Sequence, residues 1–440
     1  MRARRRAAVA APLLCVAALS ASLIGPGNAS TSPGLTRKAN AQSRISESAE
    51  RDVQISVWKK ALAADSESAI ALGQLAGLYM QRGRETGDEA SYSEAEQLAQ
   101  RSVRMRSSRN GAAFATLASS MLAQHKFIEA DSIVTLLVAL EPDVPQYRAL
   151  QGEIKLEIGD YEAARVAFER AHLQRSHLSI APRFARWLDI SGHSIAAREV
   201  MRRALAEAEK RRDLPREQLA WFYLRVGDMD QRTGRLRVAR SFYDQGLAAH
   251  PGDHRLLAAM ARIEAAEARP RKAIDYGERA MAVKLDPATL GVIGDAYAAI
   301  GDSAQSEDYF KTMEVAVAGQ PGAYHRAWSL FLLDHDRRVS EVLANVISEL
   351  ETRKDIYGYD LLAWALHKSG RDAEARGAMN HALRMKTEDA MLFFHAGVIE
   401  HSLGNRMLAL AYLDKALDLN PKFHPTQAAE ARSLLKFMER

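Results

Sequence analysis

The chain has 440 residues, 47% hydrophobic and 26% charged, with aromatics only 7%. Its net charge of +5 invites a nucleic-acid or membrane reading, but residues 1–46 hold Arg2, Arg4, Arg5, Arg6, Arg37, Lys38 and Arg44 and no acid, which leaves residues 47–440 at net −2. A near-neutral body lacks the electrostatic footprint of a nucleic-acid binder, and Ala, Leu, Arg and Glu recurring at helical spacing, without long Val/Ile/Thr alternation, exclude a β architecture.

In chain order, the four arginines at the start form a charged region, and Ala7 to Ile24 is an apolar run broken only by Pro12, Ser20 and Ser22. Gly27-Asn28-Ala29 then places small residues at −3 and −1 of a signal-peptidase site. The expectation is a signal peptide over 1–29, cut before Ser30, and an exported protein, periplasmic or secreted. The run is long for this role, so a retained anchor helix stays open, as does an organellar transit peptide favoured by the arginines. Cys15, the single cysteine, follows Leu14 rather than a small residue, which argues against a lipid anchor. Its removal would leave no disulfide, no thiolate and no cysteine metal ligand. Residues 30–46 are rich in Ser, Thr and Asn and read as a disordered spacer.

Helical pattern starts near Glu47, and one signature then recurs: a turn residue, with a small residue five positions later. The turns are His125, Gly159, Gly192, Gly234, Ala268, Gly301, His335, Gly370 and Gly404. The small residues are Ala130, Ala164, Ala197, Ala239, Ala273, Ser306, Ser340, Ala375 and Ala409, spaced 34, 33, 42, 34, 33, 34, 35 and 34. Ala95 fits one step earlier. A second small residue sits seven before most turns: Ala76 (with Gly83), Ala118, Gly152, Ala185, Gly227, Ala261, Gly294, Ala363 and Gly397. A unit of this length holds two helices of about 14 residues and two short turns. Small residues are needed where the first helix (A) crosses the second (B) closely. A turn glycine permits the left-handed conformation that ends helix A, and Pro142, Pro251, Pro287 and Pro421 stop helix B.

This pattern resembles the tetratricopeptide repeat, whose small, turn and proline positions fall in the same order. The last unit is the cleanest, HAGVIEHSLGNRMLALAYLDKALDLNP from His395 to Pro421. The resemblance implies an all-α fold, a right-handed superhelical solenoid of about ten helix–turn–helix units over 47–424, with a C-terminal capping helix over 425–440. Four departures stand out. Residues 47–65 look like a B helix alone, and RETGDEA (84–90) is an insertion. The 42-residue step reflects an extended helix around Ala196–Arg212, closed by Asp213-Leu214-Pro215. Trp328 takes a small-residue position in the eighth unit, so that interface must open or shift register.

No catalytic or phosphate-binding motif is present: GxxxxGK, GxSxG, HExxH and the calcium-loop pattern are all missing. Ser56-x-x-Lys59 and Ser433-x-x-Lys436 lie on ordinary amphipathic helices without the companion motifs of penicillin-recognising enzymes. His250 and His254 are separated by a helix-breaking Pro251-Gly252, and His172 and His177 point to different faces, so no metal is expected. Lys210-Arg211-Arg212 complements a helix dipole. Neither a cofactor nor a catalytic residue is implied, so the chain reads as a non-enzyme.

In this family the groove lined by A helices usually binds the partner. Counting from the turns projects into it Trp221, Arg225, Asp228 and Arg232 of the fifth unit, Tyr357, Asp360, Trp364 and His367 of the ninth, and Phe394, His395 and His401 of the tenth. Aromatic and charged groups together suit an extended peptide or helix, although Trp364 and Phe394 also suit core packing between units. The Lys–Asn set with which some members clamp a C-terminal carboxylate does not occur. The resulting expectation is a non-catalytic scaffold for a protein or peptide outside the cytoplasm, in assembly or envelope-associated complexes, without nucleic acid. The alternative is an adaptor for a separately encoded enzyme or transporter, tethered to a membrane only if the N-terminal segment is retained.

Overall fold

A computed structural model describes residues 33–171, 177–318 and 326–439, with side chains from residue 47 onward. The expected signal segment 1–29 lies outside them. The chain divides into two units, residues 1–39 and 40–440; of the first, the described residues 33–39 are helical. All described elements are helices, and no strand occurs among the described residues.

Helix α1 (Pro33–Ala64) precedes ten pairs. The pairs are α2 (Ala69–Thr86) with α3 (Glu89–Met105), α4 (Gly111–Ala123) with α5 (Phe127–Leu140), α6 (Pro145–Ile158) with α7 (Tyr161–Arg170), and α8 (Ala181–Ile190) with α9 (Ser194–Lys210). Next come α10 (Arg216–Arg232) with α11 (Leu236–Ala249), α12 (His254–Ala266) with α13 (Pro270–Met281), and α14 (Pro287–Ala299) with α15 (Ser303–Ala318). The last three pairs are α16 (Arg326–Asp334) with α17 (Val339–Glu349), α18 (Ile356–Lys368) with α19 (Asp372–Ala382), and α20 (Ala390–Ser402) with α21 (Arg406–Leu419). Helix α22 (Gln427–Met438) closes the series and buries Ala428, Ala431, Leu435 and Met438.

The period follows from packing. A Cβ on Gly152, Gly227, Gly294 or Gly397 would come within 2.3 to 2.7 Å of Phe168, Tyr243, Phe310 or Leu413, each sixteen residues later on helix B. A glycine or alanine on A thus makes room for a large side chain on B. Eight of the expected turn residues, His125, Gly159, Gly192, Gly234, Ala268, Gly301, Gly370 and Gly404, have positive φ. Aspartates at 253, 286, 355 and 389 cap the A helices that follow, accepting from free backbone N–H groups of the first turn.

Three local expectations are corrected. The spacer 30–46 is helical from Pro33 onward, because proline suits a first helical position and no proline follows it as far as Ala64. In the first unit the left-handed turn is Gly87, not Gly83, since the insertion prolongs α2 by a turn. In the eighth it is Asp336, with a second left-handed residue at Arg338, rather than His335. That shift moves the small position from Trp328 to Ser329 and leaves the indole half-buried, stacked on Phe331 at 5.4 Å. The 42-residue step comes from two long helices, α9 and α10, of 17 residues each.

The solenoid winds so tightly that successive superhelical turns touch. Lys354 N donates to Ile158 O (3.0 Å), and Ile356 N donates to the Tyr161 hydroxyl (2.8 Å), 195 residues away. Arg384 donates to the carbonyls of Lys354 (2.7 Å) and Gly159 (3.3 Å) and covers the Tyr161 ring. Further along this seam, Thr387 bonds Ile190 O, Ser194 bonds Glu388, and Asn420 donates to Gln231 O (3.0 Å). At its other end, where Gly87 faces Lys284, Arg84 also pairs with Glu217 and Arg216 with Glu47 across shorter separations of 133 and 169 residues. Partners 189 to 197 residues apart mean that one superhelical turn takes roughly six 34-residue units.

Candidate functional site

The A helices line the inside of this wound solenoid, and there the charges pair along the wall from unit to unit. Glu153 meets Arg183 (2.6 Å), Glu157 meets Arg186, Asp189 meets Arg232, and Asp228 meets Arg262 (3.6 Å). Farther along, Arg326 meets Asp360 (2.7 Å), and Asp360 also holds His395 Nδ1 (2.7 Å). Burial alone would raise the Asp360 carboxyl; the His395 and Arg326 charges outweigh it and hold the group below its ordinary value. Glu157 follows the same logic through Arg186 and Arg353. Burial opposes the Arg232 charge, yet Asp189 raises its pKa. The ladder neutralises the inner wall and fixes the orientation of long side chains.

Space remains where the wall is made of small residues. A cavity of about 300 Å³ lies between the C-terminal halves of α10, α12 and α14 (Asp228, Arg232, Arg262, Ala265, Asp295) and the opposite segment with Met391, Phe423 and His424. A second, of about 430 Å³, lies between the Gly83–Gly87 turn and the N-terminal halves of α12 and α14, with His254, Arg255, Lys284 and Asp286. Asp228 and Arg262 line both, so the two spaces flank one ion pair. His424 is pushed down by burial, and His254 is pushed down to about 4, again chiefly by burial. Both imidazoles are therefore neutral near pH 7, available as hydrogen-bonding groups rather than cations.

The expected groove residues divide. Asp228 and Arg232 line the first cavity. Arg225 is half-buried and 3.4 Å from Asp228, and Trp221 is half-buried, edge-on to Phe222. Tyr357 lies under the Arg326 guanidinium, and burial pushes its hydroxyl pKa up. His367 bonds Asp372 through Nδ1 (2.6 Å), and His401 meets Phe437 edge-on. Asp360, Trp364, Phe394 and His395 are the corrections: none is more than 3% exposed, so none is offered to a ligand. The Trp364 indole donates to Asp334 (2.9 Å) and stacks on His395 at 4.2 Å, which makes this group interior packing between A helices. Arg262 and Asp295 were missed. They sit six residues before their turns, as Asp228 does, and that register was the signal available.

The geometry has a family counterpart. Residues 392–423 match the family described as tetratricopeptide repeat. That stretch, the α20–α21 pair with the loop that follows, is a tetratricopeptide repeat. Repeats of this family build protein-interaction scaffolds, generally without catalysis, and bind protein or peptide partners. Solved structures similar to this chain include the type IV pilus biogenesis factor PilW, at 15% identity and TM-score 0.41, covering 51% of this chain and 99% of that one. Human IFIT1, solved as a dimer with PPP-AAAA, gives 14% identity and TM-score 0.43 over 84% of this chain and 94% of that one. A tetratricopeptide-repeat protein of Parabacteroides merdae gives 17% and 0.34 over 60% and 100%. No curated protein matches the sequence. Among the described residues, no three His, Cys, Asp or Glu side chains are placed to hold a metal ion, and no helix is long and apolar enough to cross a membrane.

Proposed function

We propose that this protein is a non-catalytic scaffold acting outside the cytoplasm, holding a protein or peptide partner in an assembly or envelope-associated complex. The observation that carries the binding part is the inner wall, where two cavities flank the Asp228–Arg262 pair. A side chain entering either cavity meets fixed charges and neutral imidazoles on walls of alanine, a setting suited to a segment threaded along the inside. The location part rests on the arginine start, the apolar run Ala7–Ile24 and the small residues Gly27 and Ala29.

Two measurements test it. The N-terminus of the protein recovered from the producing cell should begin at Ser30, in a fraction outside the cytoplasm; a cytoplasmic chain starting at Met1 sinks the location. A photo-crosslinking amino acid at Met391 or Ala265 should yield discrete covalent adducts with a polypeptide in the living cell. Adducts from a control position on α13, with none from inside, would remove the inner wall as the binding face. If the N-terminal segment is instead retained and resists alkaline extraction from membranes, the tethered adaptor takes precedence.

A further inference from the structure

We propose that the arginine-rich end of α3 and the loop leading to α4 form a second docking site, on the outer edge of the solenoid, for an acidic segment of a partner protein. Arg101, Arg104, Arg106 and Arg109 fall within nine residues, and all four are exposed. Among the described residues none of them forms an ion pair. The bonds they make are to backbone, Arg101 to Ser66 O (3.2 Å) and Arg106 to Ser108 O (3.3 Å). This contrasts with the inner wall, where arginine after arginine is matched to a carboxylate. The cause is visible in the sequence: no Asp or Glu occurs from Gln97 to Ile128.

The loop is held in shape. Asn110 Nδ2 donates to Ser102 O (3.2 Å) and Arg106 O (3.0 Å), and the Ser102 hydroxyl donates to Ala69 O (2.7 Å). The arginines therefore project from a fixed base, which lowers the ordering cost of binding. Met105 lies among them, 47% exposed, and Leu140, 44% exposed, ends α5 as Met105 ends α3. Planar guanidiniums around an apolar side chain suit carboxylates interleaved with an apolar residue. The seam lies elsewhere, on the loops at 284, 353–356, 386–388 and 420, and among the described residues no seam contact reaches this edge.

The surroundings select the partner class. Asp65, Glu67 and Asp143 occupy the neighbouring loops, while Glu141 is turned toward Gly111 and Tyr147. These acids bracket the arginines, so a broad anionic surface such as a bilayer would press against them as well. Residues 101–110 hold no aromatic ring on which a base could stack, which disfavours single-stranded nucleic acid. A narrow acidic polypeptide satisfies the arginines and avoids the flanking carboxylates.

The test uses the whole protein and a fluorescent dodecapeptide of glutamate with leucine at every fourth position. Anisotropy should show saturable binding that weakens with added salt. The double variant Arg104→Glu/Arg109→Glu should bind about tenfold more weakly, with an unchanged thermal melt, and Met105→Ser should weaken it to a smaller extent. A control double variant on remote exposed arginines, Arg237→Glu/Arg271→Glu, should bind like the parent. Equal loss in both double variants overturns the site, as does tighter binding to phosphatidylglycerol vesicles or to a single-stranded RNA of equal charge. Crosslinking from Met391 reads the inner wall separately, so failure here leaves that reading standing.

Discussion

Gly159, Gly192 and Gly234 share a left-handed backbone with Gly301, Gly370 and Gly404, with φ from +72° to +84° in all six. Their surroundings differ. A Cβ on Gly159 would lie 2.2 Å from the Lys354 carbonyl oxygen, on Gly192 2.7 Å from that of Lys386, and on Gly234 3.2 Å from the Asn420 Cα. On Gly301, Gly370 or Gly404 it would meet nothing within 4 Å. In the later units glycine answers a local need, ending helix A. In the earlier ones it also allows two layers of the superhelix to approach backbone to backbone. The same turn has thus become a tertiary contact in one half of the molecule and remained a punctuation mark in the other.

The sharpest break in this comparison is Gly159→Ala. It adds to the left-handed cost a clash that only movement of the seam relieves, and the expected loss is about 4 kcal/mol in urea unfolding. A loss equal to that of an open turn would show that the layers do not touch in solution. The next effect concerns acid. His254 faces the cavity under the Gly87 turn, and burial holds its pKa at about 4 against an ordinary 6.5. Acidification protonates the unfolded chain first, so stability is full above pH 6.5 and falls as pH drops to about 4. The loss is on the order of 3 kcal/mol, and His254→Gln should flatten that slope. Tyr161→Phe leaves the buried Ile356 N–H without its acceptor and should cost about 2 kcal/mol. Smallest is Gly404→Ala, about 1 kcal/mol, the left-handed penalty alone. An equally mild effect at Gly192 would narrow the seam to its Gly159 end.

The helix pairs were legible because each depends on residues within about 34 positions. Gly227 and Tyr243 meet across one turn, and the glycine at 234 announces where that turn lies. Where two non-glycine residues took left-handed conformations, at Asp336 and Arg338, the register slipped by one, and neither residue type announces such a turn. The seam was illegible for a different reason: it depends on superhelical pitch, the sum of many small rotations between units, and Lys354 carries no mark pairing it with Ile158. The same limit governed the site. Register placed Asp228 and Arg232 on the inner wall. It could not reveal that Asp360 and His395, one unit apart, would be consumed by Arg326 and by each other.

The seam also sets a clock. A solenoid of purely local contacts can consolidate unit by unit as it is made. Here the hydroxyl of Tyr161 waits for an amide 195 residues downstream. At 5–20 residues per second that delay is roughly 10–40 s. During it the early turns exist with their outer backbone groups still in water, and the first six units are an unfinished ring. The final stitching is then a late, nonlocal event, and variants confined to the seam should slow or shorten the last kinetic phase of folding while leaving the formation of individual helix pairs untouched.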